Sequence, residues 1–265
     1  MVLRLMSNHP PGDSDGVLCF ARQTPAGPLV LRVLPEECAK VLAGNYPWRV
    51  WAVTKVTGPG EEGLAGPEEE AMLAQDEEEL AARLPDEDKA IHCGSLQHQG
   101  HYVSLIHSAT PDPFANGRTD DQEVFTSVYV WNVYCREDRE GEFLQQRFLP
   151  TAKERRRIGD QQVLEVLAEA GDRPEEPRPI RFFGLFPSQE SAEAATPVIA
   201  AEGFTVTGTA EIPSREGPRW SLMFEIGSPA DPVSIEKLSS HAQRLCETAG
   251  GEYDGWECTP VTAEE

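Results

Sequence analysis

Four histidines crowd one short stretch, His92, His98, His101 and His107, with Cys93 beside the first. Imidazole and thiolate are common zinc ligands, so metal chemistry would start here if the chain had any. The spacing argues against it. His101 and His107 are six strand residues apart, which at about 3.3 Å per residue separates them by roughly 20 Å. His98 and His101 flank a turn and could share an ion with Cys93 or a distant carboxylate, but the spacing matches no common zinc pattern. The plainer expectation is a set of exposed turn histidines. Nucleophilic catalysis needs a serine or cysteine beside a histidine, an orienting acid and an oxyanion hole. The chain has no GxSxG, and His92 and Cys93 are no pair, because adjacent strand residues point to opposite faces. The glycines of 58–66 do not follow GxxxxGK(S/T), so no phosphate cradle is supported. Carboxylates are so abundant that a pair of them is uninformative by itself. We therefore expect no catalytic residue, no metal and no cofactor. One alternative stays open: an enzyme or small-ligand binder with its site at a domain junction, where His92, His101 or Tyr253 converges with carboxylates in a deep cleft.

The abundance of acid is a signal of another kind. The 265 residues carry 45 Asp+Glu against 23 Lys+Arg, a formal net charge of −22. Such a surface repels nucleic acid phosphates and anionic lipid, which disfavours direct nucleic acid binding and membrane association. It serves solubility, and it also suits a basic protein partner. The opening MVLRLMSNHPPGDSDG has too short an apolar run for a signal peptide, and no later stretch approaches a membrane span, so a cytoplasmic location is expected. The six cysteines are scattered without a CxxC pair and read as small buried hydrophobes in a reducing compartment.

The elements that must position these residues follow from periodicity. Val17–Ala21 and Leu29–Leu34 form a hairpin across the turn-prone 24–28. A short helix at 35–42 and a strand at Trp48–Val56 follow. Pro67 begins a strongly acidic helix whose first turn, Glu68–Glu70, suits the helix dipole. Ala90–Leu96 and His101–His107 form a second hairpin, Thr110–Gln122 a loop, and Val124–Tyr134 one long strand. The charged turn Arg136–Gly141 is the expected boundary between a domain at 1–140 and one at 141–265. Beyond it lies a basic cluster, Lys153, Arg155, Arg156 and Arg157, expected as a solvated helix face. Asp160 reads as the N-cap of a helix at 161–170.

From Arg178 to Cys258 the apolar period switches from two to helical and back, twice, which is the pattern of a βαββαβ unit. Ile180–Phe186 is the central strand, and Ser188 caps a helix that Pro197 should kink or split. Phe204–Glu211 and Trp220–Ile226 alternate, Val233–Ala249 is the second helix, and Glu252–Cys258 the last strand, with a frayed tail beyond Thr259. The expected fold is α+β, a C-terminal ferredoxin-like sandwich preceded by a second α+β domain with a mostly antiparallel sheet. With both helices on one sheet face, Phe183, Leu185 and Met223 fall on the other. That face must meet the first domain, a second subunit or a partner; the oligomeric state is left open. In the closing GGEYDGWEC, simple alternation sends Tyr253 to one face and Asp254 and Trp256 to the other, making one aromatic a core residue and the other an edge cover or a partner anchor.

DQQVLEVLAEAGD, PRPIRFFGLFPSQESA, EGF before the second strand and finally GGEYDGWE resemble the regulator of ribonuclease E activity, type B, a small bacterial protein of ferredoxin-like fold. The upstream YPWRVWAVTKV, the acidic helix and the hairpin at 93–107 resemble a domain of unknown function that precedes this module in two-domain bacterial proteins. The resemblance implies a protein-binding regulator whose partner is a ribonuclease or its complex, bound through protein contacts. The candidate partner-binding residues are those read from the open sheet face and the closing strand: Phe183, Leu185, Met223, Tyr253, Asp254 and Trp256. The founding regulator is a single short domain, so the partner need not carry over with the mode of action.

Overall fold

The computed structural model describes residues 3–4, 16–86, 88–114, 122–213 and 218–262. The chain forms two compact units, Gly12–Leu149 and Pro150–Glu265, the second also taking in Met1–Pro11. That N-terminal piece contributes a two-residue strand, β1 (Leu3–Arg4), to the second unit.

The first unit is a seven-stranded antiparallel sheet. Its hairpin β2 (Leu18–Thr24) and β3 (Gly27–Val33) is followed by α1 (Pro35–Ala43), β4 (Trp48–Lys55) and the acidic α2 (Pro67–Ala81). Then come β5 (Ala90–His98), β6 (His101–Ser108), β7 (Gln122–Phe125) and β8 (Val130–Glu137), in sheet order β2-β3-β5-β6-β4-β8-β7. Leu73 and Leu80 of α2 pack with Val50, Ala52, Tyr102, Ile106, Trp131 and Val133 in one core. Trp51 points the other way and meets Phe143 edge-on, with centroids 5.4 Å apart, and the Arg49 guanidinium lies over both rings. Gly94 sits at a bulge in β5 with φ 126°, and a Cβ there would stand 2.1 Å from the Arg32 carbonyl oxygen, so only glycine lets β3 approach.

Residues 124–134 are not the single strand expected. They fold into the β7–β8 hairpin because α2 supplies acceptors for its turn. The Val128 amide donates to Asp76 Oδ1 at 3.0 Å and the Ser127 amide to Glu79 Oε2 at 2.9 Å. Carboxylates 48 and 52 residues earlier in the chain override a locally apolar run. The expected loop at 110–122 lies partly outside the described residues.

The second unit starts with α3 (Ala152–Glu169) and continues with β9 (Arg178–Phe186), α4 (Gln189–Ala201), β10 (Thr205–Ile212), β11 (Arg219–Ser228), α5 (Pro232–Thr248) and β12 (Glu252–Cys258). The sheet order β12-β9-β11-β10, all antiparallel, is that of a split βαβ sandwich, and β1 pairs onto the free side of β12. The fold class is therefore the expected α+β. Ile180, Phe182 and Phe186 of β9, Leu222 and Phe224 of β11 and Trp256 of β12 pack with Ala192, Ala195, Ile199, Ile235 and Ala242 from the helices. Phe182, Phe204 and Phe224 form a triangle of rings with centroids 5.3–5.9 Å apart.

Three local expectations need correction. The helix at 161–170 and the basic cluster before it are one helix, capped by Thr151 through a capping box with Glu154, so Asp160 is a mid-helix residue. Pro197 does not split α4, which runs through it from Gln189 to Ala201. Ser188 caps that helix as expected, with Ser191 at the third position. Past Thr259 the chain is tied down at Val261: the Arg173 amide donates to the Val261 carbonyl at 2.8 Å and the Val261 amide to Asp172 Oδ1 at 2.6 Å. Arg178, buried, gathers Asp172, the carbonyls of Arg173 and Glu176, and that of Thr259 around one guanidinium.

Candidate functional site

In the second unit, α3 and α5 are joined by a buried polar lock. Arg156 Nη1 donates to Asp160 Oδ2 at 2.7 Å and to Ser239 Oγ at 2.6 Å. Its Nη2 meets Glu236 Oε1 at 2.9 Å, and its Nε meets Gln243 Oε1 at 3.1 Å. Trp256 Nε1 donates to Asp160 Oδ1 at 3.0 Å, which adds β12 to the same network. Burial pushes the Asp160 carboxyl up to about 6, against the pull of Ser239, Arg156 and Trp256, with Glu236 adding a like charge. Within the basic cluster the expected solvated face fails at Arg156, whose side chain is 1% exposed, while Arg157 beside it is 54% exposed and also reaches Glu236. The i,i+4 spacing of Arg156 and Asp160 was the available signal.

The sheet face opposite the helices carries Phe183, Leu185 and Met223, as the alternation requires. Phe183 and Leu185 are 2% and 3% exposed, and Met223 is half-buried. Arg181 stands in the same row, bridging Glu257 on β12 at 3.0 Å and Glu225 on β11 at 3.6 Å. In β12 simple alternation breaks down. Tyr253 is opposite Gly184 and Trp256 opposite Phe182, three residues against two. The extra residue is a bulge at Asp254–Gly255, with Gly255 at φ 89°. Tyr253 and Trp256 therefore both face the helices and join the core, so neither is the outward aromatic that strict alternation implies. Asp254, in the bulge, is 3% exposed. The structure thus brings Phe183, Leu185 and Met223 together and separates them from Tyr253 and Trp256.

The histidines of the first unit are not all at the surface, and His98 and His101 face each other across the β5–β6 ladder. His98 Nδ1 lies 2.9 Å from the Pro28 carbonyl and His101 Nδ1 3.0 Å from that of Gln99. His107 is buried, and burial holds its pKa below the ordinary value. His92 Nε2 meets Glu77 Oε1 at 3.0 Å, a contact the sequence did not suggest. Glu77 Oε2 also accepts from Tyr102 Oη at 2.8 Å, and Arg32 lies 3.5 Å away. Burial raises the Glu77 carboxyl, but His92, Tyr102 and Ser104 outweigh it and hold it below its usual range. Both oxygens of Glu77 are thereby occupied by the protein's own donors. Among the described residues no group of three or more His, Cys, Asp or Glu is placed to hold a metal ion, and no helix is long and apolar enough to cross a membrane.

Residues 157–258, from inside α3 to the last residue of β12, match the family model described as regulator of ribonuclease activity B, RraB. Residues 27–149 match the model of a family of unknown function, DUF695. The chain is a DUF695 domain followed by an RraB domain. The two matches fall within the two compact units, and the resemblance drawn from GGEYDGWE and YPWRVWAVTKV is that of these families. The RraB domain contains Asp160, Glu236, Ser239 and Trp256 of the lock, while Arg156 precedes its matched stretch by one residue. Among curated proteins the chain has no match.

Proposed function

We propose that this protein is a non-catalytic regulator that binds a ribonuclease through its RraB domain. The observation that carries this reading is the match of residues 157–258 to the regulator of ribonuclease activity B. Two features support a non-catalytic contact with protein. A net charge of −22 opposes association with a phosphate backbone. His92 and Glu77, a histidine–acid pair of the first unit, are mutually satisfied in a buried network. The six cysteines carry thiols rather than disulfides, which supports action in a reducing compartment such as the cytoplasm. The binding surface we assign includes the sheet face of Phe183, Leu185 and Met223, with Met223 and the 43%-exposed Arg181 as its accessible members.

The test is an RNA-cleavage assay in fractionated native lysate, with purified full-length protein added over a concentration series. Cleavage by one ribonuclease fraction should change at stoichiometric protein, and Met223→Glu with Arg181→Glu should remove the effect. If a large excess of folded protein alters no cleavage activity, the reading is wrong.

A further inference from the structure

The outward face of the β7–β8 corner, turned away from α2, is apolar where a solvated sheet face is expected to be polar. Trp131 and Val133 of β8 point into the core, and Val130, Asn132 and Tyr134 face out. Val130 stands opposite Phe125 on β7, and Tyr134 opposite Trp51 on β4. Phe125, Val130 and Tyr134 are 61%, 39% and 49% exposed. Eight large hydrophobic side chains are exposed among the described residues, and these three with Val128 at the turn make half of them within one short hairpin. Scattered apolar residues need no explanation, but a cluster on one face marks an interaction surface. The same face carries opposite charges toward its two ends. Glu123 stands opposite Asn132, and Arg136 opposite Arg49. Asp138 lies 3.9 Å from Arg49, while the side chains of Glu123 and Arg136 have no ion-pair partner among the described residues. Their rows lie roughly 14 Å apart at about 3.4 Å per residue, too far for the two to pair within one chain.

We propose that this face is the interface of a homodimer, its occupant a second copy of the same face turned end for end about Tyr134. A two-fold contact is self-complementary, each residue meeting its counterpart's partner. Reversing the strands about the Tyr134 row exchanges the Asn132 and Arg136 rows. Glu123 of each copy then meets Arg136 of the other, while the two tyrosines pack together. The offset of one strand between β7 and β8, roughly 5 Å, is within the reach of an arginine side chain. Two ion pairs form that one chain cannot make, and Phe125 and Val130 extend the apolar contact beyond them. A uniformly basic partner segment fits less well, because it sets like charge against Arg136 and Arg49; an acidic one does the same at Glu123. The net charge of −22 opposes self-association at long range, but at physiological salt that repulsion is screened beyond about 8 Å.

The inference does not rest on the ribonuclease reading, and its test needs no ribonuclease. Sedimentation velocity of the full-length protein, from micromolar to millimolar concentration at physiological salt, should show a monomer passing to a dimer. Glu123→Arg and Arg136→Glu should each weaken dimerisation by about tenfold or more, since each sets like charges against one another. The double variant should recover the original affinity to within about threefold, because it exchanges the two charges and keeps the pairs. Mixing the two single variants should give a heterodimer tighter than either homodimer. Tyr134→Glu, at the axis, should abolish dimerisation. All three side chains are exposed, so the urea midpoints of the variants should match that of the unmodified protein. If Tyr134→Glu does not fold, the charge series alone decides. A monomer at every concentration, a dimer indifferent to the single exchanges, or a double variant that stays monomeric overturns the proposal. A dimer persisting in folded Tyr134→Glu places the association on another face and overturns it too. Assembly that continues past the dimer does the same, because a two-fold contact closes on itself.

Discussion

Asp160 of the RraB domain and Glu77 of the DUF695 domain are both helical acids, both buried, and both surrounded by hydrogen-bond donors; burial raises both carboxyls, yet the net shifts are opposite, up for Asp160 and down for Glu77. The difference lies in how the donors are shared. Glu77 has His92, Tyr102 and Ser104 to itself, and these outweigh its desolvation. Asp160 divides the Arg156 guanidinium with Glu236, whose charge in turn opposes its own. One cation serving two carboxylates leaves the more buried of them under-compensated. The comparison shows that counting donors around a buried acid is not enough; what decides is how many other acids draw on them.

Breaking the shared partner should have the largest effect. Arg156→Met leaves Asp160 buried with only neutral donors, and should destabilise the protein by about 3–5 kcal/mol in urea unfolding at pH 7.5. The penalty should shrink at pH 5, where Asp160 takes a proton. Next comes the pH dependence of the intact lock. The Asp160 carboxyl sits at about 6 in the folded protein against an ordinary value of 3.8, so between these values the folded state holds the extra proton. Its contribution to stability is then full below pH 3.8 and lost as pH rises through 6, by about 3 kcal/mol in all. Glu77 behaves in the opposite sense. Its folded value is depressed below 4.5, so its contribution is present above pH 4.5 and lost as pH falls through the folded value. Urea midpoints for Asp160→Asn and Glu77→Gln from pH 3 to pH 8 should separate the two: the first variant flattens the slope between pH 4 and 6, the second the slope below 4.5. A change of slope in the same window for both would remove the contrast.

Smaller changes sharpen the same contrast. Tyr102→Phe withdraws one donor from a carboxylate that does not share its donors, and should cost about 2 kcal/mol by thermal denaturation. Thr151→Ala removes the cap of the helix that carries Arg156 and Asp160, without touching either, and should cost about 1 kcal/mol. A Thr151→Ala loss comparable to that of Arg156→Met would mean that helix α3 is held by its end rather than by the lock.

Period and composition carried the C-terminal fold far, because a strand covered on one face and a helix on one side leave regular marks. The βαββαβ order, Ser188 as a cap and the placement of Phe183, Leu185 and Met223 on one face were all readable. What was not readable depended on contacts distant in sequence. Asp160 looks like a cap because aspartate favours that position, but Thr151 nine residues earlier satisfies the helix end, and α5 supplies Ser239 to an aspartate that has become internal. Strict alternation misplaced Tyr253 relative to Trp256, because one inserted residue reverses the parity of every side chain beyond it. The β7–β8 turn was hidden in an apolar run, since its stabilising carboxylates lie on α2.

The hydrogen bond from Trp256 to Asp160 has an optical consequence. An indole whose N–H faces a carboxylate experiences a different local field when that carboxylate becomes neutral. The near-ultraviolet dichroism and emission of Trp256 therefore carry a titration centred where Asp160 does, near pH 6. The RraB domain thus holds a native chromophore wired to its own lock. The seating of α3 against α5 and β12 can be followed in the unlabelled protein while a partner is added.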